Sequence, residues 1–183
     1  MPINVVVDIS HHNGNVDLGK AKTDGILGVI QKATQGQSGV DPTFQTNRNK
    51  ANNAGLMFGA YHFATGSDGL KQAQHFLQVV GSFDNTLLVL DFEPNPTGPS
   101  MTLEEARAFV THVARQPVVS RDYILGTTSS SCLEVIRTTC SPSVGSGWPN
   151  MDLRRSSRRI GIRGRCGNTP MERRVRSLTA SRE

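Results

Sequence analysis

Two acids placed two residues apart at the end of an apolar run are the residues of this sequence that could most readily do chemistry. The run Leu87-Leu88-Val89-Leu90 leads into Asp91-Phe92-Glu93 and is closed by Pro94 and Pro96. It is too short for a buried helix and is bounded by prolines, so it reads as a strand buried on both faces. Alternation along a strand points Asp91 and Glu93 the same way, with their backbones roughly 6.6 Å apart at about 3.3 Å per residue. Carboxyls converging at that distance raise one another's proton affinity. One can then stay protonated as a general acid while the other keeps its charge, which is a glycosidase-like division of roles. In isolation such a pair more often caps a following helix or meets solvent at a strand end, so the surrounding elements must decide.

Those elements alternate regularly. Ile3 to Ile9 is a β-branched apolar strand whose end presents Asp8, Ser10, His11 and His12. A short helix is predicted over Val16 to Thr23, then a strand over Ile26 to Lys32 that ends in a cation and runs into the polar loop Thr34 to Gln37. Asp41-Pro42 announces a helix from Thr43 to Ala54, and Gly55 stops it. Met57 to Phe63 is the next strand and brings Tyr61 and His62 to its end; Leu70 to Val80 repeats apolar residues at helical spacing. After the strand ending in Glu93, Thr102-Leu103-Glu104-Glu105 is a capping-box start for a helix reaching Val113.

This alternation predicts βαβ units and a parallel sheet, hence an α/β fold. Asp8, Lys32, Tyr61, His62, Asp91 and Glu93 all fall at C-terminal strand ends, the face on which a closed β/α barrel builds its active site. Each has an ordinary alternative: His11 and His12 as turn histidines, Tyr61 as a core ring with a wet hydroxyl, Lys32 as a solvated terminus. Their gathering on one rim is what argues for a site.

The same residues resemble a known family. Asp8-Ile9-Ser10-His11-His12-Asn13-Gly14, Gln31-Lys32-Ala33-Thr34-Gln35-Gly36, Gly59-Ala60-Tyr61-His62-Phe63 and Leu90-Asp91-Phe92-Glu93 stand in the order and spacing of the glycoside hydrolase family 25 muramidases, the Chalaropsis-type lysozymes. The resemblance implies an irregular TIM-like β/α barrel that hydrolyses the β-1,4 bond between N-acetylmuramic acid and N-acetylglucosamine in peptidoglycan, with no cofactor. Carried over motif by motif, it makes Glu93 the general acid. Asp91 becomes its partner, steering the 2-acetamido group or acting as nucleophile, and Asp8 lines the same subsite. His11, Lys32, Tyr61 and His62 become substrate-binding residues. Retention and substrate assistance both remain open at this point, because the carboxyl separations that distinguish routes are not readable from spacing.

Composition bounds the rest. At 183 residues the chain suits one barrel rather than two domains. The three cysteines, Cys132, Cys140 and Cys166, have neither disulfide-framework parity nor zinc-type spacing, so no metal is expected. Neither an export signal nor a membrane segment is expected, and the chain is expected to be a monomer. The net charge of +5 is unevenly placed. Every lysine lies at or before Lys71, whereas the last third carries only arginines, crowded around Arg154-Arg155-Ser156-Ser157-Arg158-Arg159 and Arg173-Arg174-Val175-Arg176.

The family pattern should continue with a Y-P-V-x-Y-S-G strand and finish in a W-Q-Y-T-D strand, and neither is present in frame. Both appear out of frame. Val119 to Gly126 read from the second codon base gives Y-P-V-I-I-Y-S-G, and Cys166 to Arg176 read from the third base gives W-Q-Y-T-D-G-A-A-G-P with permitted synonymous choices. Two single-base shifts, near Val119 and near Gly126, account for the change of composition. Residues 1–118 are therefore read as family 25 barrel, incomplete at its C-terminus, and residues 119–183 as an out-of-frame, poorly ordered Arg/Ser-rich segment. With too little periodic apolar surface to form the closing strands, that segment is expected to leave a sheet edge unpaired. Two rival functions follow: a peptidoglycan-binding remnant without turnover, and a basic arm binding nucleic acid. The second is disfavoured and no nucleic-acid partner is expected, because the arginines lack interleaved aromatics.

Overall fold

The computed structural model describes residues 5–82, 85–116, 123–126, 154–156 and 159–161. Its strands are β1 (Val5–Ile9), β2 (Ile26–Gln35), β3 (Gly39–Val40), β4 (Met57–Phe63), β5 (Thr86–Asp91), β6 (Tyr123–Gly126), β7 (Arg154–Ser156) and β8 (Arg159–Gly161). The helices are α1 (Leu18–Thr23), α2 (Phe44–Asn53), α3 (Gly69–Val80) and α4 (Leu103–Ala114), with a 3-10 turn over His11–Asn13. One sheet runs in the order β6-β5-β4-β2-β1-β8-β7, with β3 folded onto β2. The pairs β1·β2, β2·β4, β4·β5 and β5·β6 are parallel, as the βαβ alternation requires.

Strand alternation sorts the apolar side chains onto two faces. Ile9, Val29, Phe58, Ala60, Leu88 and Leu90 join Phe44, Phe76, Phe109 and Val113 of the helices in the main core. The opposite face buries a smaller cluster, Val6, Ile30, Leu87 and Val89, with Tyr61 packed against it. The helices start where side chains can satisfy their first amides: Asp17 accepts from Lys20 N, Asp68 from Leu70 and Lys71, and Thr102 with Glu105 closes the expected capping box. Gly69 is required for α3 to meet α4, because a Cβ there would overlap the Glu105 carbonyl oxygen.

Three features differ from the sequence expectation. β2 continues to Gln35 because Gly39–Val40 turns back and pairs with it. β5 ends at Asp91, so Glu93 stands in the following loop rather than on the strand. The arginine-rich segment does supply strands: β8 pairs antiparallel with β1 at Val5↔Gly161 and Val6↔Ile160, and β7 pairs with β8. The β1 edge is thus partly covered rather than bare, though by an antiparallel hairpin and not by a parallel barrel strand. The remainder of 119–183, with its expected disorder and its three cysteines, lies outside the described residues. Among the described residues, no helix is long and apolar enough to cross a membrane.

Candidate active site

Period-two alternation brings Asp8, Lys32, Tyr61 and Asp91 to the side of the sheet that carries Val6, Ile30, Leu87 and Val89. Lys32 and Tyr61 are direct cross-strand neighbours, and Asp91 sits beside Phe63. Lys32 is buried; its Nζ donates to Gln35 Oε1 at 2.7 Å and lies 4.8 Å from the centre of the Phe63 ring. Burial pulls the Lys32 ammonium below its ordinary range, and the charges of Asp41, Asp91 and Glu93 partly restore it. Tyr61 is pushed up, first by burial and then by Asp91 and Asp8, with a hydrogen bond from Ser10 opposing them.

Asp91 is the group most altered. Burial, then the neighbouring charges of Glu93 and Asp8, raise its pKa to about 7, with Lys32 pulling the other way. Asp91 thus feels both other carboxyls, and its coupling to Glu93 is the one the Asp91/Glu93 spacing predicts. Near neutral pH Asp91 is still about half protonated, whereas isolated carboxylates would have lost the proton.

This has a stability consequence whose sign is fixed. A folded-state pKa of about 7 lies above the unfolded value of 3.8, so the native state binds more protons between them, and stability falls as pH rises through that window. In the chain with its frame restored after residue 118, Asp91→Asn is expected to raise the melting temperature at pH 8, with the gain shrinking toward zero near pH 4. Equal melting temperatures at pH 8 would remove Asp91 from a charge-repelling cluster.

The loop bearing Glu93 is held from its other side. Ala64 N donates to Asp91 O at 3.0 Å and Gly66 N to Pro99 O at 2.6 Å, so the β4–α3 loop is stitched to both ends of the 91–99 segment. Asn95 closes the turn within it, accepting from Thr97 N and donating to Pro99 O.

His62, expected on the substrate face, sits instead among the helices. It follows Tyr61 on the same strand, so alternation sends it to the opposite side, where it is completely buried against Phe76 and Phe109. Its Nδ1 meets Thr34 Oγ1 at 2.7 Å and its Nε2 meets Gln72 Oε1 at 3.0 Å. Burial first, and His75 and Lys32 further, lower its pKa to about 4, while the Gln72 bond raises it. Gln72 also fixes the β4–α3 loop through Thr65 and Ser67, so His62 supports the rim from beneath without reaching it. The native state here binds fewer protons than the unfolded chain between pH 6.5 and about 4, so this contribution is present above 6.5 and is lost as pH falls. In the frame-restored chain, His62→Gln is expected to cost roughly 1–3 kcal/mol near neutrality and to flatten the pH dependence of melting in that window. A variant with undiminished stability would contradict the buried-bond assignment.

The histidine that does reach the rim is His11, at the end of β1. Its partner is Asp41, which the sequence marks only as a helix start. Asp41 Oδ2 accepts from His11 N at 3.0 Å and faces His11 Nδ1 at 2.7 Å. Oδ1 accepts from Thr43 N at 2.9 Å, Thr43 Oγ1 at 2.6 Å and Gln31 Nε2 at 3.3 Å. Burial alone would raise the Asp41 pKa, but the hydrogen bonds from Thr43 and His11 outweigh it and hold the carboxyl below its usual range. Among the described residues, no group of three or more His, Cys, Asp or Glu side chains could hold a metal ion.

A parallel α/β sheet with an acidic cluster at the C-terminal ends of its strands defines a glycoside-hydrolase-like barrel scaffold. Residues 7–130 match the Glycosyl hydrolases family 25 profile, and the chain belongs to that family. It is 34% identical over 135 residues to Lysozyme M1 of Streptomyces globisporus, covering 68% of this chain and 46% of that protein. Among solved structures, the bacterial lysozyme from Streptomyces coelicolor aligns with a TM-score of 0.60 at 31% identity, over 68% of this chain and 62% of that one. A family GH25 lysozyme from Aspergillus fumigatus aligns with a TM-score of 0.59 at 35% identity, over 66% and 63%. The chain thus spans less than half of the curated relative and somewhat under two thirds of these structures.

Proposed function

We propose that this chain is a peptidoglycan muramidase in design, cleaving the β-1,4 bond between N-acetylmuramic acid and N-acetylglucosamine, and that restoring its reading frame after residue 118 restores turnover. The observation that carries this reading is the retained proton: Asp91, raised to about 7 by burial, Glu93 and Asp8, at the rim of a family 25 scaffold. Cleavage of a glycoside needs a proton for the leaving oxygen and negative charge against the developing oxocarbenium ion. At rest the coupled pair holds its proton on Asp91; Glu93, in the loop past β5, is the member that passes it to the leaving oxygen. Asp91 supplies the opposing carboxylate or steers the 2-acetamido group, and Asp8 adds charge to the same subsite. Lys32 and Tyr61 line the inner face, where a glycan strand would lie.

The test is Asp91→Asn in the frame-restored chain. Hydrolysis of purified walls should fall severely, and the pH–rate profile should change, because the group that shares the proton with Glu93 can no longer ionise. An unchanged profile would count against the pairing. One observation favours a second reading, wall binding without turnover: the family match stops at residue 130. Retention on walls with no new glycan ends, even after frame restoration, would select it.

A further inference from the structure

We infer that Asp41 is a positioning residue acting through His11: it fixes the hydrogen on Nδ1 and presents Nε2 at the rim as an acceptor for an N–H or O–H of an N-acetylhexosamine unit. This rests on the reading of the rim as a glycan-binding site. The geometry is specific. The Asp41 side chain is 0% exposed, whereas that of His11 is 40% exposed. Four donors converge on one carboxylate, Thr43 N, Thr43 Oγ1, Gln31 Nε2 and His11 N, and His11 Nδ1 meets the same group at 2.7 Å. Such a group is charged and can only accept. Nδ1 must therefore carry hydrogen, and the neutral ring keeps its lone pair on Nε2.

Holding the turn that leads into α2 needs only Oδ1, which already serves Thr43. Oδ2 is given wholly to His11, gripping its backbone amide and its ring at once, so both the turn after β1 and the ring direction are set. The ring also leans on His12, with centroids 3.9 Å apart. The Asp41 charge acts on Lys32 and Tyr61 as well, so it lies close enough to bias the inner-face residues. A buried charge is costly to place, and here its second oxygen orients a half-exposed ring on the catalytic rim.

The test combines nitrogen-resolved imidazole NMR of the histidine-labelled frame-restored chain with titration of the soluble N-acetylglucosamine trimer. At a pH where the ring is neutral, His11 should show a hydrogen-bearing Nδ1 and a bare Nε2, with Nε2 responding to the trimer. Asp41→Asn should reverse the tautomer, since the introduced amide can donate to Nδ1. His11→Ala and Asp41→Asn should each weaken trimer binding roughly three- to tenfold, and the double variant no further. Hydrogen on Nε2 in the unmodified chain, additive losses, or a trimer that fails to bind or binds equally well without His11 would each overturn the inference. Wall cleavage reads out the muramidase reading separately: if walls are cleaved while His11 ignores the trimer, only the positioning role fails.

Discussion

Glu93→Gln, made in the frame-restored chain, should lower turnover of purified walls by about two to four orders of magnitude while leaving wall binding nearly intact. That range is the usual scale of general acid catalysis. The amide keeps the shape and one acceptor of the carboxyl but has no proton to give to the leaving oxygen. Glu93 lies past the end of β5, in a segment pinned by Ala64 to Asp91 O and by Gly66 to Pro99 O, so the substitution should not disturb the strands. Removing the Glu93 charge should also lower the Asp91 pKa, because Glu93 is the largest charged contributor to its rise. Near-normal lysis by this variant would take Glu93 out of the acid role.

Restoring the frame near Val119 and Gly126 should have a comparably large effect. The helix side of the sheet holds a broad core, whereas the inner side buries only Val6, Ile30, Leu87 and Val89 with Tyr61 against them. In a closed barrel that inner side is filled by side chains from all strands. Here the described sheet runs from β6 to β7 without closing, and β8 covers β1 at only Val5 and Val6. Partly covered sheet edges favour association between chains. Expressed as given, the chain should melt without a cooperative transition, aggregate readily and cleave walls barely, despite carrying Asp8, Asp91 and Glu93. The repaired chain should gain a cooperative melt and lysis together, since the restored strands supply both closure and the Asp of the W-Q-Y-T-D strand, which in the family pattern completes the acidic cluster. If the chain as given melts cooperatively and lyses walls as well as the repaired one, the frame reading is wrong and the arginine-rich segment belongs to the enzyme.

What the sequence disclosed follows its periods. β4 was readable to the residue, and α2, α3 and α4 to within a residue or so at each end, because apolar spacing and caps such as Thr102 with Glu105 are local signals. Asp8, Lys32, Tyr61 and Asp91 were legible as one rim because strand ends in a parallel sheet share a side. His62 was misassigned although the signal was there: adjacent strand residues face opposite ways, so Tyr61 and His62 could not both meet a substrate. Asp41 was not legible as a site residue. Its partner His11 is distant in sequence, and only folding brings the end of β1 to the start of α2. The two-residue β3 and the hairpin of β7 and β8 are set by tertiary pairing rather than by pattern.

The most direct test of the central claim reads the ends left on the glycan. Purified peptidoglycan is digested with the frame-restored chain, the new reducing ends are converted with borohydride, and the alditols are identified after acid hydrolysis. The muramidase reading predicts that muramitol appears in proportion to lysis and is absent with Glu93→Gln. New ends recovered as glucosaminitol, or no new ends from a chain that melts cooperatively, would contradict it.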